Sequence, residues 1–97
     1  MPFDSTDFPF AEKGIADYAT TGSGVYGICN ATDWTYIGEA KDVEAGLYAH
    51  LRGESDQSAC ILRQKPTTYA FERCDAITRM TREKALLREL DPICNRT

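Results

Sequence analysis

The stretch GVYGICNATDWTYIGEA, residues 24–40, sets two β-rich runs around a turn. GVYGICN alternates well enough for a strand, NATD carries turn chemistry, and WTYIGEA returns as a second strand. A three-residue loop at 31–33 pairs residue 30 with 34 and residue 26 with 38. Tyr36 then lies diagonally across from Tyr26 on one face of the sheet, where the two rings can reach each other. A slip of two residues keeps both tyrosines on that face, whereas a slip of one separates them.

Working outward, Asp42 can cap a helix running to about Leu51, with Val43, Leu47 and His50 or Leu51 on related faces and Gly53 ending it. DQSACILRQ (56–64) reads as a second short helix stopped by Pro66. TTYAFERC (67–74) is β-branched and aromatic and reads as a third strand. Asp75 or Thr78 then caps a final helix whose apolar face is Ile77, Met80, Leu86, Leu87 and Leu90, before Pro92. Upstream, residues 1–9 read as an irregular arm, FAEKGIADYA (10–19) as a short helix weakened by Gly14, and TTGSG (20–24) as a turn. The sum predicts an α+β fold: a three-stranded antiparallel sheet flanked by helices. The arm and short helix fill 1–22 and the main unit fills 23–97, one domain in all.

Ninety-seven residues leave little room for a second core. No apolar run approaches the ~20 residues that span a bilayer. No basic and apolar leader opens the chain, so a cytoplasmic location and no membrane partner are expected. Net charge is −4, yet nine of the eleven basic residues fall between Arg52 and Arg96. That half could form a local basic face or an ordinary solvated helix surface. Cys29, Cys60, Cys74 and Cys94 show no metal-ligand spacing, and a chain without an export signal is expected to keep all four reduced.

Singly, a strand tyrosine pair, one helical histidine and one late glutamate are more often packing and solvent-facing residues than chemistry. Their order is more specific. Gly24-Val25-Tyr26, then Tyr36-Ile37-Gly38 about ten residues on, then a helix bearing His50, then Glu83-x-x-Leu86-Leu87, then Pro92-x-x-Asn95 resembles the GIY-YIG nuclease superfamily from about Ser23 to Asn95. The resemblance implies a metal-dependent endonuclease. Tyr26 takes the place of the general base or its relay. Tyr36 takes that of the tyrosine helping to hold water and phosphate. His50 falls beside the scissile phosphate, and Glu83 is the single protein ligand to Mg²⁺ or Mn²⁺. Gly38 takes the place of the close-approach glycine that starts the turn into the helix, and Asn95 supports the site. All four of Tyr26, Tyr36, His50 and Glu83 are then expected to face one cleft. The implied partner is nucleic acid, DNA rather than RNA, with room for a partner protein that completes the activity. A tyrosine of pKa near 10 is a poor base at neutral pH unless a cation favours its phenolate.

One element departs from the family pattern. Its first helix carries Arg-Leu-x-x-His or Arg-Leu-x-x-Tyr, and here Gly46-Leu47-Tyr48-Ala49-His50 puts glycine where the arginine clamps phosphate. The same-face positions Asp42, Val43, Ala49, His50 and Gly53 supply no arginine or lysine, so a replacement would have to come from elsewhere, such as Arg63 or Arg73. The sequence therefore predicts a weakened nuclease or, alternatively, a non-catalytic nucleic-acid-binding or protein-interaction module that kept the fold.

Overall fold

The computed structural model describes residue 3 and residues 7–96. Most of the arm read at 1–9 lies outside them. The elements follow in the order β1 (Phe8–Pro9), α1 (Glu12–Tyr18), β2 (Gly24–Cys29), β3 (Trp34–Ala40), α2 (Val43–Leu51), α3 (Ser58–Arg63), β4 (Thr68–Arg73) and α4 (Ala76–Leu90), closed by a 3-10 turn at Ile93–Asn95. The sheet has four antiparallel strands in the order β1-β4-β2-β3, not three. The added strand is two residues long, too short to carry a period-2 signal. Its ring Phe8 stacks on Tyr18 at 4.7 Å. Pro9 is tolerated because β1 is an edge, where no ladder N–H is required of it.

The hairpin takes the expected register as far as Ile28, but the expected pairing of residue 30 with 34 does not form, and the loop is 30–33, four residues rather than three. Tyr26 pairs with Gly38 and Ile28 with Tyr36, and a bulge between Ile28 and Cys29 then shifts the pairing to Cys29 with Trp34. Alternation divides the sheet's two faces. Tyr26, Ile28 and Tyr69 join Phe10, Ile15, Val43, Leu47 and Ile61 in one core under α1, α2 and α3. Val25, Ile37 and Ala70 join Phe3 and Leu86 in a second core under α4. Phe10 and Ile15 of the 1–22 segment thus share the core of the residues that follow.

Asp42 caps α2 by accepting from the Ala45 N–H, and Gly53 follows the helix at φ +74, a conformation glycine adopts without strain. Asp75, rather than Thr78, caps α4, accepting from the N–H groups of Ile77 and Thr78. On α4 the expected apolar face is correct only toward its C-terminal end. Leu86 is buried and Leu87 and Leu90 are half-buried, but Ile77 and Met80 are 84 % and 55 % exposed. The second core does not reach these first turns.

The cysteines require a further correction. Cys60 and Cys94 form a disulfide, joining α3 to the terminal 3-10 turn, while Cys29 and Cys74 are free. Thirty-four residues separate the bonded pair, so spacing gives no hint of it. Folding β4 and α4 back over the sheet brings the two together. No helix among the described residues is long and apolar enough to cross a membrane.

Candidate active site

Tyr26 runs across the sheet over its partner Gly38. A Cβ at position 38 would lie 2.6 Å from the Tyr26 hydroxyl oxygen and 2.9 Å from the Tyr36 ring, so only glycine lets the phenols take these places. Gly38 therefore serves a close approach inside β3 rather than starting the turn into α2. The Tyr26 and Tyr36 ring centroids are 6.3 Å apart. From the helical layer, α2 lowers the His50 ring to 5.6 Å from Tyr26 and 5.0 Å from Tyr36. The Tyr26 hydroxyl and His50 Nε2 share a hydrogen bond of 2.6 Å, and His50 Nδ1 bonds the Ser55 hydroxyl at 2.6 Å. Tyr26 and His50 are only 3 % and 4 % exposed, while Tyr36 is half-buried and forms the side of the cluster nearer solvent.

Burial controls the charge states. It pushes the Tyr26 phenol well above its ordinary range, reinforced by Tyr36, Glu83 and Glu39. Tyr36 is raised by burial and by Glu83. Desolvation drives His50 down to about 4. At neutral pH the trio is uncharged, and its nearest charges are acidic, the wrong sign for a phenolate. A stability signature follows. An unfolded histidine titrates near 6.5, so between about 6.5 and 4 the unfolded chain binds a proton that the native chain refuses. The stabilisation is complete above pH 6.5 and is lost as pH falls toward 4. Urea unfolding should show natural protein losing roughly 2–3 kcal/mol more than a His50→Gln variant between pH 7.5 and 4.5. Equal losses in the two proteins would show that His50 is not held neutral.

Glu83 comes from the opposite layer. Its helix packs on the face of the sheet away from α2, and β3 is the edge strand between them. The structure thus brings Tyr26, Tyr36 and His50 into direct contact. Glu83 joins them through its field on both phenols, without a hydrogen bond to any of the three. The expectation that all four face one cleft is replaced by a narrower finding: the trio is in contact on the α2 face, with Tyr26 and His50 almost wholly buried, and Glu83 stands on the α4 side of the sheet. The Glu83 carboxylate is half-buried and takes no hydrogen bond or ion pair among the described residues. Burial and nearby Glu39 raise its pKa, against the opposing effect of Lys84. A carboxylate left free and pressed by another fits a divalent cation held by one protein ligand, water and a phosphate. No group of three or more ligating side chains is present among the described residues, so a tight all-protein site is excluded there.

Two neighbours escaped the sequence reading. Arg79, one helical turn before Glu83, donates to Glu39 at 2.6 Å and to the Ser23 hydroxyl at 2.9 Å. The i, i+4 spacing of Arg79 and Glu83 was the available signal. Ser55 lies in the loop after α2 and had none. Asn95 grips the edge strand as a neighbouring strand would: its side-chain oxygen accepts from the Ile37 N–H at 2.8 Å and its amide donates to the Ile37 carbonyl at 2.9 Å. That clasp holds the strand carrying Tyr36 and Gly38.

At Gly46, a Cβ would make ordinary contacts, 3.4 Å from the Tyr26 ring and 3.5 Å from its hydroxyl oxygen. Position 46 therefore looks onto Tyr26. Arg52 is engaged elsewhere, paired with Glu12 and lying 4.1 Å over the Tyr48 ring. Arg73 lies beside Gly22 at the end of the sheet, and Arg63 ends α3 on the exposed surface. Arg79, Arg82 and Arg96 are each tied to an acid, which leaves the basic half of the chain partly neutralised.

No protein-family model matches the chain, and no curated protein matches it. Solved structures do. A point mutant of the GIY-YIG N-terminal endonuclease domain of UvrC from Thermotoga maritima, bound to its catalytic divalent cation, superposes with a TM-score of 0.72 at 22 % identity, over 90 % of this chain and 99 % of that one. The same domain bound to magnesium, its catalytic divalent cation, gives 0.72 at 22 % identity over 89 % and 99 %. The chain has the GIY-YIG endonuclease fold. A third structure, another cation-bound point mutant, gives 0.71 at 22 % identity over 87 % and 96 %. Within the GIY-YIG fold the two motif tyrosines of this chain face α2, and its late glutamate stands across the edge strand.

Proposed function

We propose that the chain is a GIY-YIG-type, metal-dependent endonuclease that hydrolyses phosphodiester bonds, in DNA rather than RNA, and that Gly46 weakens it. The observation that carries this reading is the Tyr26–His50 hydrogen bond, closed over by Tyr36, inside a GIY-YIG fold. A tyrosine pair needed only for packing does not require a buried imidazole placed to receive its proton.

In this reading Tyr26 prepares the attacking water, Tyr36 orients water and phosphate at the open side, and His50 takes the Tyr26 proton. Glu83 would hold Mg²⁺ or Mn²⁺, which supplies charge neutralisation for the phosphate oxygens and the leaving group. Gly38 makes room for the phenols, and Asn95 holds β3 in place. With glycine at 46 the family's phosphate-clamping arginine is missing from its place, and burial, reinforced by Tyr36, Glu83 and Glu39, works against the Tyr26 phenolate.

The test is cleavage of supercoiled plasmid, single-stranded DNA and RNA with Mg²⁺ or Mn²⁺, by the natural chain and by Glu83→Gln. Slow, metal-dependent cleavage of DNA that falls by on the order of 10²-fold or more in the variant is expected. Nucleic-acid binding without cleavage, unchanged by Glu83→Gln, would make the chain a binding module instead. The specific observation favouring that second reading is the bare Gly46.

A further inference from the structure

The hydrogen bonds behind His50 form a chain with one direction. Ser58 lies at its far end, almost fully buried, and its hydroxyl donates to the Ala49 carbonyl at 3.3 Å. The same oxygen accepts from the Ser55 N–H at 3.0 Å and lies 2.7 Å from the Ser55 hydroxyl. A hydroxyl has one proton and two lone pairs. With its proton on Ala49, Ser58 can only accept from Ser55. Ser55, its proton committed to Ser58, can only accept from His50 Nδ1. The Nδ1 nitrogen must then carry the ring proton, and Nε2 is bare toward the Tyr26 hydroxyl.

Running the chain the other way fails at its near end. Nε2–H would donate to the Tyr26 oxygen, and the phenolic proton of a side chain 3 % exposed would have no acceptor among the described residues. An unpaired buried donor costs about 1–3 kcal/mol. The ring's titratable neighbours are Tyr26 from β2 and Tyr36 from β3, and no charged residue contributes to its shifted titration.

We propose that Ser55, backed by Ser58, is a positioning residue that fixes His50 in the Nδ1–H tautomer, so that Nε2 is the proton acceptor for Tyr26. This rests on the nuclease reading for its role in catalysis, though the tautomer itself does not. In the step it serves, the Tyr26 O–H bond breaks and the proton forms a bond to Nε2. A phenolate and an imidazolium result, and Nδ1–H stays on Ser55 throughout. A histidine in the other tautomer cannot take that proton.

His50 is the only histidine in the chain, so its ring nitrogens can be read without assignment ambiguity. Nitrogen-15 NMR of imidazole-labelled protein at pH 7.5 should show Nδ1 protonated and Nε2 bare. Ser55→Ala should move the population toward Nε2–H, the form free imidazole prefers, and Ser55→Thr should restore Nδ1–H. In whichever background cleaves measurably, natural or Gly46→Arg, Ser55→Ala should lower kcat on the order of 10- to 100-fold with little change in KM, recovering in Ser55→Thr. A natural chain in the Nε2–H form, or a tautomer unmoved by both Ser55→Ala and Ser58→Ala, would overturn the proposal whatever the cleavage assay shows. The expected tautomers with no cleavage in any background would confirm the positioning and sink the nuclease reading alone.

Discussion

Gly46→Arg is expected to raise metal-dependent DNA cleavage by on the order of 10² to 10³, the usual effect of one preorganised group on transition-state charge. The backbone admits the change. The new Cβ would rest 3.4 Å from the Tyr26 ring and 3.5 Å from Ala40, both ordinary contacts. Position 46 stands one helical turn before His50, so the guanidinium would extend from directly over the Tyr26 hydroxyl. There it would do two things: offer a planar fork to phosphate oxygens, and place positive charge beside a phenol that burial, reinforced by Tyr36, Glu83 and Glu39, holds protonated. Replacing a mid-helix glycine should also stabilise α2 by up to about 1 kcal/mol. The decisive comparison is natural chain, Gly46→Arg, and Gly46→Arg with Glu83→Gln, on plasmid and single-stranded DNA. A gain that vanishes in the third protein is expected. A folded Gly46→Arg protein no faster than the natural one would mean that position 46 is not the lesion.

Reduction of the Cys60–Cys94 disulfide should destabilise the protein by about 3–4 kcal/mol, from the closure entropy of a loop of this length. For a domain of this size that corresponds to a melting temperature lower by roughly 15 °C, and it is a large share of an ordinary domain's 5–15 kcal/mol. Thermal melts with and without reductant, and of Cys60→Ser, should agree. Thiol titration of the denatured, unreduced chain should find Cys29 and Cys74 only. Four free thiols, or melts indifferent to reductant, would remove the cross-link as a source of stability. The result also bears on location: cytosolic thiols are normally kept reduced, so a persistent disulfide weighs against the cytoplasmic expectation.

Local chemistry made much of the fold legible. The period of two placed Tyr26 opposite Gly38, although a bulge lengthened the expected turn by one residue, and Asp42, Gly53 and Asp75 marked helix ends, the last beside the competing candidate Thr78. What escaped was set by distant parts of the chain. A two-residue strand exists only because β4 offers it an edge, and the disulfide exists only because α4 turns the chain back. Ile77 and Met80 carry the right period for a core that does not extend beneath them. In the site, the tyrosines and His50 were marked by family resemblance, and their contact followed from register and helix phase. Which side of the sheet carries Glu83 depended on the packing of α4, and Ser55 gave no signal because a loop serine looks like any other until an imidazole points at it.

The division of the candidate site between two layers gives it two independent ways to fail. Tyr26, Tyr36, His50 and Ser55 belong to the α2 side, whereas Glu83 reaches the phenols from α4 around β3. A modest slide of α4 along the sheet would separate the carboxylate from the phenols without disturbing a single hydrogen bond of the tyrosine–histidine chain. Damage confined to α2 would leave the carboxylate where it is. Lesions in the two layers are coupled only through the field of Glu83 and Glu39 on the phenols, and each alone suffices to silence the proposed chemistry. Such an arrangement can be switched off by mutation far more easily than it can be unfolded.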